Sequence, residues 1–456
     1  MTITYNALSG ALAAQAALNT VSQNLANVQT PGYTRQGVLL KATASDPGVL
    51  SAGNGVQIGS LLRFSNTYQL QQMWRANSDL GAHAQTQPYL SGLEKVMSDD
   101  KSSISYGIDN FFKALNAAGV DPTSSPLRQQ VVTTGNSMAQ QFNSIYNVAA
   151  NQVISVSQQQ QAILPSLNES LAGIALLNRQ IVSVGGTGTN TSALMDKREQ
   201  LIDSVSAQVG VDVVYNPNGS VNVSLKSGEP LVMSDSASTV SYSTESGSPV
   251  LQLSYANVKF NLDDTQVGGQ LGGLGDFKQN TLIPLQTSVK ELADAVATRI
   301  NAALATGYTA PGVSGTAMFE VPATTGIMKI SDGFTSGDLA FSSDGTPGDS
   351  GNLQNLIDVK SQKIQLSSLG ATDVVLGDAD TQLVGKLGIQ SQQNQSLLAT
   401  ATTVRSQSED DWKSTSAVNS DEEGINLVEF QNMYQANMKV IAVANTLFES
   451  TLQMFG

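Results

Sequence analysis

The sequence predicts an α+β multidomain chain. Its N- and C-terminal helices pair as a coiled-coil-like inner domain, a helical bundle lies centrally, and antiparallel β-rich outer domains are inserted. Three observations predict this. Apolar residues recur at near-heptad spacing at both ends of the 456 residues and again in the middle. Two intervening stretches change to the alternating period of strands. The order is therefore helix, β, helix, β, helix: the chain leaves a helical body, forms β modules and returns.

The first helix carries Ala7, Ala11, Ala14, Leu18, Val21, Leu25 and Val28, alternately four and three apart. That is an a/d seam, which needs a second helix to bury it. It is expected to stop at "TPGY", because Pro31 disfavours a helical Thr30 and Gly32 permits a turn. Further on, Phe142, Ile145, Ala149, Val153 and Val156 form a stripe that Ile163, Leu167, Leu171, Ile174, Ile181 and Val184 continue. Pro165 is expected to kink it. "VGGTGTN" (Val184 to Asn190) reads as a flexible break. "SALMDKREQLIDSVSAQVG" reads as a shorter helix capped by Ser192.

The period then changes. "VDVVYNPNGSVNVSL" alternates β-branched residues around a Pro-Asn-Gly turn, which predicts a hairpin. "EPLVMS" and "VLQLSY" extend this β region to about Leu262. "GGQLGGLGD" (Gly268 to Asp276) lacks the register and the Lys-Ser/Thr of a phosphate-binding loop, and reads as a flexible joint. Leu282, Leu285, Val289, Leu292, Val296 and Ile300 predict a helix closed by Gly307. From about Gly312 to Leu383, "MFEV", "IMKI" and "DLAFS" suggest short strands between turns.

The last helix is the broadest. Leu427, Tyr434, Ile441, Phe448 and Phe455 fall seven apart, with Met433, Val440, Leu447 and Met454 beside them. Phe430, Ala444 and Leu452 widen the face. Chain ends are usually polar and frayed, so a seam this apolar predicts cover by the first helix or by other molecules. The expected domains are 1–65, 66–207, 208–265, 266–307, 308–385 and 386–456.

Composition narrows the function. Lys and Arg number 23 against 37 Asp and Glu, a net charge of −14. That argues against nucleic acid and anionic membrane, which need a basic footprint. Charged residues make up 13%, about half the usual share, so surface contacts run through amides and hydroxyls. No cysteine and one histidine, His83, exclude thiolate chemistry and multi-His metal sites. No stretch approaches the roughly 18 apolar residues of a membrane span, and "MTITYNALSG" is no secretory signal. The expectation is a protein that stays inside or leaves by a route needing no such peptide.

Asp99–Asp100, Asp263–Asp264, Glu409–Asp410–Asp411 and Asp421–Glu422–Glu423 read as solvated faces; the last suits a helix N-terminus. "DGTPGDSGN" (Asp344 to Asn352) lacks calcium-loop spacing and reads as a turn. No catalytic, cofactor or metal residue is nominated, and the chain is not read as an enzyme.

Two stretches carry a resemblance. "SGALAAQAALNTVSQNLANVQTPGYTRQ" resembles the N-terminal signature of bacterial flagellar axial proteins, the rod, hook and hook-associated family. Its elements here are Ser9–Gly10, Asn24, Asn27 and Thr30–Pro31–Gly32–Tyr33. "GINLVEFQNMYQANMKVIAVANTLFESTL" is similar to the matching end, through Glu429–Gln431, Tyr434–Asn437 and Lys439–Ile441. Thr34–Arg35–Gln36 is similar to hook-associated members rather than to hook protein. "ALMDKREQLIDSVSAQVGVDV" resembles their Leu-x-Asp-x-Arg-Asp-x-Leu segment, with Glu199 in place of the second Asp, and "GGQLGGLGDFKQN" their glycine-rich run, with Lys278 where Arg is frequent.

The resemblance implies a structural protein at the junction of hook and filament, self-assembling helically through its terminal helices. Alternatives are another axial protein (hook or distal rod) and, more remotely, a secreted coiled-coil adhesin or effector. It implies Ala14, Leu18, Val21, Asn24, Leu25, Asn27, Val28, Thr30, Pro31, Gly32 and Tyr33 as an assembly interface, with Leu427, Phe430, Tyr434, Ile441, Ala444, Phe448 and Leu452. The Asn24 and Asn27 amides would bond neighbouring chains. Implied partners are further copies, hook protein, the second hook–filament junction protein, and an export chaperone with the type III export apparatus. The chaperone would cover Leu427, Phe430, Ile441 and Phe448, and the protein would be secreted to the flagellum.

Overall fold

The computed structural model describes residues 2–44, 53–186, 189–244, 249–322, 326–367 and 371–455. Thr187 and Gly188 of the expected break, and the side chain of Phe455, lie outside the described residues.

In chain order the elements begin with helix α1 (Thr2–Ala26), strands β1 (Gln36–Ala42) and β2 (Val56–Arg63), and helices α2 (Thr67–Met97), α3 (Ile104–Ala118), α4 (Ser125–Gly185) and α5 (Ser192–Gln208). Seven strands follow: β3 (Val211–Tyr215), β4 (Val221–Leu225), β5 (Pro230–Met233), β6 (Ser236–Ala237), β7 (Thr239–Ser243), β8 (Val250–Tyr255) and β9 (Val258–Leu262). Then come α6 (Gly269–Phe277), α7 (Ile283–Ala305), β10 (Phe319–Glu320), β11 (Lys329–Ile330), α8 (Gly351–Asp358), β12 (Lys363–Leu366), β13 (Ala371–Val375), α9 (Ala379–Ser416) and α10 (Ser420–Phe455). The chain divides into two compact units, one of Met1–Asp79, Pro165–Asn261 and Ala401–Gly456, the other of Leu80–Leu164 and Leu262–Thr400.

In the first unit α1 packs chiefly on α10, as the seams predict. The two run antiparallel: a Cβ on Gly10 would lie 2.6 Å from Asn437 Oδ1, and Asn24, near the other end of α1, bonds Glu423. Beside α1 lies the antiparallel ribbon β1–β2, bulged between Leu39 and Leu40. A four-stranded sheet, β3-β4-β5-β6, and a three-stranded one, β7-β8-β9, complete the unit. The expected hairpin is β3–β4, with Gly219 at φ +87° in its turn. Asparagine clamps, one buried and one half-buried, tie strands to α4. Asn178 Nδ2 donates to Val221 O at 2.8 Å, and Asn168 Nδ2 donates to Val240 O at 2.9 Å. The start of α5 differs from the expected one: its N-cap is Thr191, with no side-chain cap bond, and Ser192 N instead donates to Asn190 Oδ1 at 2.9 Å.

The second unit buries Phe111, Phe142, Leu292, Val296, Ile300, Phe319 and Phe341. The glycine-rich run is not a joint but the buried helix α6. Glycine is there for close approach. A Cβ on Gly273 would lie 2.5 Å from Ala82 O, and one on Gly275 would collide with Asp264 O. A five-residue π-turn, Lys278–Leu282, links α6 to α7, and Lys278 Nζ reaches Asp264 at 2.9 Å and Gln160 Oε1 at 3.0 Å. Of the three short strands expected here, "MFEV" and "IMKI" contribute only the two-residue pairs β10 and β11. "DLAFS" contributes a single bridge, Ser342 to Tyr308. His83 Nδ1 lies 2.7 Å from Asn394 Oδ1, a satisfied structural histidine.

Candidate assembly interface

The corner after α1 is built from its last turn. Asn24 is buried, and its amide is used twice over on the start of β1: Nδ2 donates to Gln36 O at 2.8 Å, while Oδ1 accepts from Gln36 N at 3.0 Å. Tyr33 Oη donates to the same Oδ1 at 3.0 Å. Asn27 Nδ2 donates back to Gln23 O at 2.9 Å, and Thr30 Oγ1 donates to Asn27 Oδ1 at 3.2 Å. Within the chain these amides, expected to reach neighbouring chains, are both engaged locally. Both fold the chain onto itself, because helix ends leave backbone groups that nearby side chains satisfy.

The turn is held from α5. Gly32 adopts φ +72°, and Gln200 Nε2 donates to Pro31 O at 2.6 Å. Arg63, at the end of β2, forks between two carboxylates of α5. Its Nε meets Asp196 Oδ1 at 2.8 Å and its Nη1 meets Glu199 Oε1 at 3.0 Å. Its Nη2 also donates to Thr34 Oγ1 at 2.9 Å. Burial alone would lower the Arg63 pKa, but the bonds and charges of Glu199 and Asp196 outweigh it and raise it. Arg35 joins the corner to α10, donating from Nη1 to Glu422 Oε2 at 2.5 Å, while Arg35 N donates to Ser416 O at 2.8 Å. Glu423 beside it is buried; burial raises its carboxyl, partly offset by the Asn24 bond and Arg35.

Of the nominated residues, Ala14 and Val21 are buried and Leu18 half-buried in the α1 seam. Leu25 and Val28 are 41% and 38% exposed. The seam runs out there because α1 ends at Ala26 and the antiparallel α10 is in its first turn. Thr30 and Pro31 are exposed, Gly32 and Tyr33 half-buried. On α10, Phe430, Tyr434, Ile441 and Ala444 are half-buried, whereas Leu427, Phe448 and Leu452 are exposed. Sequence reasoning missed Arg63, and it read Glu423 as part of a solvated acidic face, which the structure corrects: Glu423 is buried beneath the corner. The signal for Arg63 was present: it is one of three cations in the first 65 residues, and Asp196 and Glu199 share a helix face at i, i+3.

Pairing α1 with α10 thus leaves much apolar surface uncovered. Ile3, Tyr5, Leu8 and Leu12 are exposed on α1; Ile425, Val428, Val440, Val443, Leu447 and Phe448 on α10. Among the described residues no cluster of acidic or histidine side chains could hold a metal, and no helix is long and apolar enough to cross a membrane.

Three family models match. Residues 90–319 match the flagellar hook-associated protein FlgK helical domain. Residues 5–34 match the flagella basal body rod protein, and 414–454 the flagellar basal body rod FlgEFG protein C-terminal region. Flagellar hook-associated protein 1 of Bacillus subtilis (strain 168) is 27% identical over 97% of this chain and 96% of its own length. Its Escherichia coli (strain K12) counterpart is 24% identical over 98% and 99%. The Salmonella typhimurium protein is 28% identical over 69% of this chain and 59% of its own length. The solved flagellar hook junction protein FlgK from Burkholderia pseudomallei shares the fold. Its TM-score is 0.51 at 24% identity, over 56% of this chain and 47% of that one. The chain belongs to the flagellar hook-associated protein FlgK family, structural components of the bacterial flagellum and not enzymes.

Proposed function

We propose that copies of this chain stack helically as the junction between hook and filament, joined through the α1–α10 pair and the surface around it. The observation carrying this reading is the apolar face left bare after α1 and α10 have paired. Patches of this kind on a soluble chain mark interaction sites, and burying one Leu or Phe side chain is worth roughly 1.5–3 kcal/mol. Contacts between unlike patches do not close on themselves and generate a helical array.

In this reading hook protein lies on one side and the second hook–filament junction protein on the other. Leu25, Val28, Leu427, Phe448 and Leu452 face other copies, while Ala14, Leu18, Val21, Phe430, Tyr434, Ile441 and Ala444 hold the terminal pair together. Asn24, Asn27, Thr30, Pro31, Gly32 and Tyr33 shape the corner that presents this surface. The protein leaves the cell unfolded through the type III export apparatus. Before export a chaperone covers Leu427, Phe430, Ile441 and Phe448, where a bare apolar helix invites aggregation.

Deleting the gene in its source bacterium is expected to leave hooks without filaments and flagellin shed into the medium, with filaments restored by re-expression. Filaments on the hooks of the deletion strain would overturn the proposal. Loss of the hooks themselves would favour a hook or rod role.

A further inference from the structure

Among the described residues, two unlike apolar surfaces of the first unit lie exposed. One is a groove of about 790 Å³ at the open end of the α1–α10 pair, lined by Ile3, Tyr5, Leu8, Leu447 and Phe448, with Asn54 of the β1–β2 connection at its edge. The other is the β1–β2 ribbon. In its register Leu39 and Lys41 share one face, and Leu62, opposite Gly37, lies on that same face. Leu39 and Leu62 are both at least 40% exposed, and Lys41 is exposed.

The ribbon cannot turn this face into its own groove, because it is pinned along α1 at both ends. Val56 N donates to Ser9 Oγ at 3.1 Å near its tip, and Asn24 grips Gln36 at its base. A two-stranded ribbon is marginal alone, so an uncovered apolar face on it calls for an outside partner.

Charge identifies the partner. Lys41 makes no ion pair among the described residues, and neither does Glu449, which follows the groove residue Phe448 in α10. Glu449 stands one helical turn beyond the groove residue Asn445. A cation beside an apolar ribbon face and an anion beside an apolar groove are complementary, and one chain carries both.

We infer that the β1–β2 ribbon of one copy docks in the Ile3–Phe448 groove of a second copy, Leu39 and Leu62 filling the groove and Lys41 meeting Glu449. The inference rests on the junction reading above and names the surfaces through which copies meet. Because ribbon and groove are different surfaces, each copy offers one and accepts the other, an open-ended contact that suits a helical array.

The chain contains no cysteine, which makes the test direct. Two differently tagged full-length copies, one Leu39→Cys and one Phe448→Cys, are co-expressed in the deletion strain, and isolated flagella are oxidised. The expected result is a disulfide-linked species carrying both tags, and none when either variant is expressed alone. Homotypic cross-links would overturn the inference in favour of a symmetric contact. Absence of any cross-link in flagella that contain both copies would overturn it while leaving the junction reading intact. Absence of the tagged natural chain from flagella would instead sink the junction reading.

A charge exchange covers the case in which the cysteine copies are not incorporated. Lys41→Glu and Glu449→Lys, each alone, are expected to lose filament attachment through like-charge repulsion, and the double exchange in one chain to regain it. A double variant no better than the singles, or singles that attach filaments normally, would overturn the contact.

Discussion

Glu423 is a buried carboxylate whose position is costly when charged. It is buried in the corner that joins α1 to α10, beside Asn24, and among the described residues its Oε2 has no partner. Burial raises its pKa, so the folded chain holds this proton more tightly than the unfolded chain does. Stability from this group is therefore greatest below the ordinary glutamate range and falls as pH rises through the raised folded value. Glu423→Gln is expected to raise the melting temperature at neutral pH and to leave it unchanged in acid, where both side chains are neutral. Parallel melts of the two proteins across that range check it; a gain that persists in acid would mean that packing, not charge, is responsible. Arg63 is the opposite case, a buried charge well satisfied. Arg63→Ala strands Asp196 and Glu199 without a cation and is expected to cost about 3–5 kcal/mol in denaturant unfolding. Arg63→Lys recovers only part, because a single ammonium cannot reproduce a fork spanning two carboxylates and Thr34.

At the scale of elements, the corner at Thr30–Tyr33 depends on one backbone conformation. Gly32 sits at φ +72°, and a side chain there would run into Gln200, which holds Pro31 O. Gly32→Val is expected to cost at least about 1–2 kcal/mol for the left-handed backbone alone. Faster amide exchange in residues 30–36, with the core of α4 unchanged, is the measurement; equal protection in both proteins would show that the corner tolerates a side chain. The stop of α1 at this corner was legible because proline and glycine act locally, and α1, α7, α10 and the β3–β4 hairpin were legible because each buries one face and so imposes a period. Helix α6 was not: glycines read as a breaker when only propensity is considered, whereas here they admit Ala82 and Asp264 from other segments. The Asn24 clamp escaped for the same reason, since its partner Gln36 is settled by where the chain turns. The thin ribbons between Gly312 and Leu383 were overread because short apolar runs fit a packed loop as well as a strand.

For the whole molecule, the family was readable from the two terminal motifs, and the structure explains why they occur as a pair: Gly10 of one admits Asn437 of the other. What the motifs did not separate is the surface that builds the chain from the surface that is left for others. Both are apolar and both repeat on α10, so spacing alone gives one broad stripe. In the fold they diverge. Ile441 is half-buried in the seam with α1, and Val443, two residues on, is exposed on another side of the same helix. An aspartate at Ile441 therefore attacks the α1–α10 pair and is expected to destabilise the first unit by about 1–3 kcal/mol, the range for a charge placed where packing is needed. An aspartate at Val443 meets solvent in the monomer, so its stability is expected to stay within about 0.5 kcal/mol of the natural chain. Yet under the proposed stacking Val443→Asp is expected to remove the protein from isolated flagella and leave hooks bare, because that stacking would bury Val443 against another copy. Chemical denaturation of both purified variants, set beside immunoblots of flagella from the complemented deletion strain, separates the two roles. A Val443→Asp chain as stable as the natural one and incorporated normally would mean that the bare face of α10 is not what joins one copy to the next.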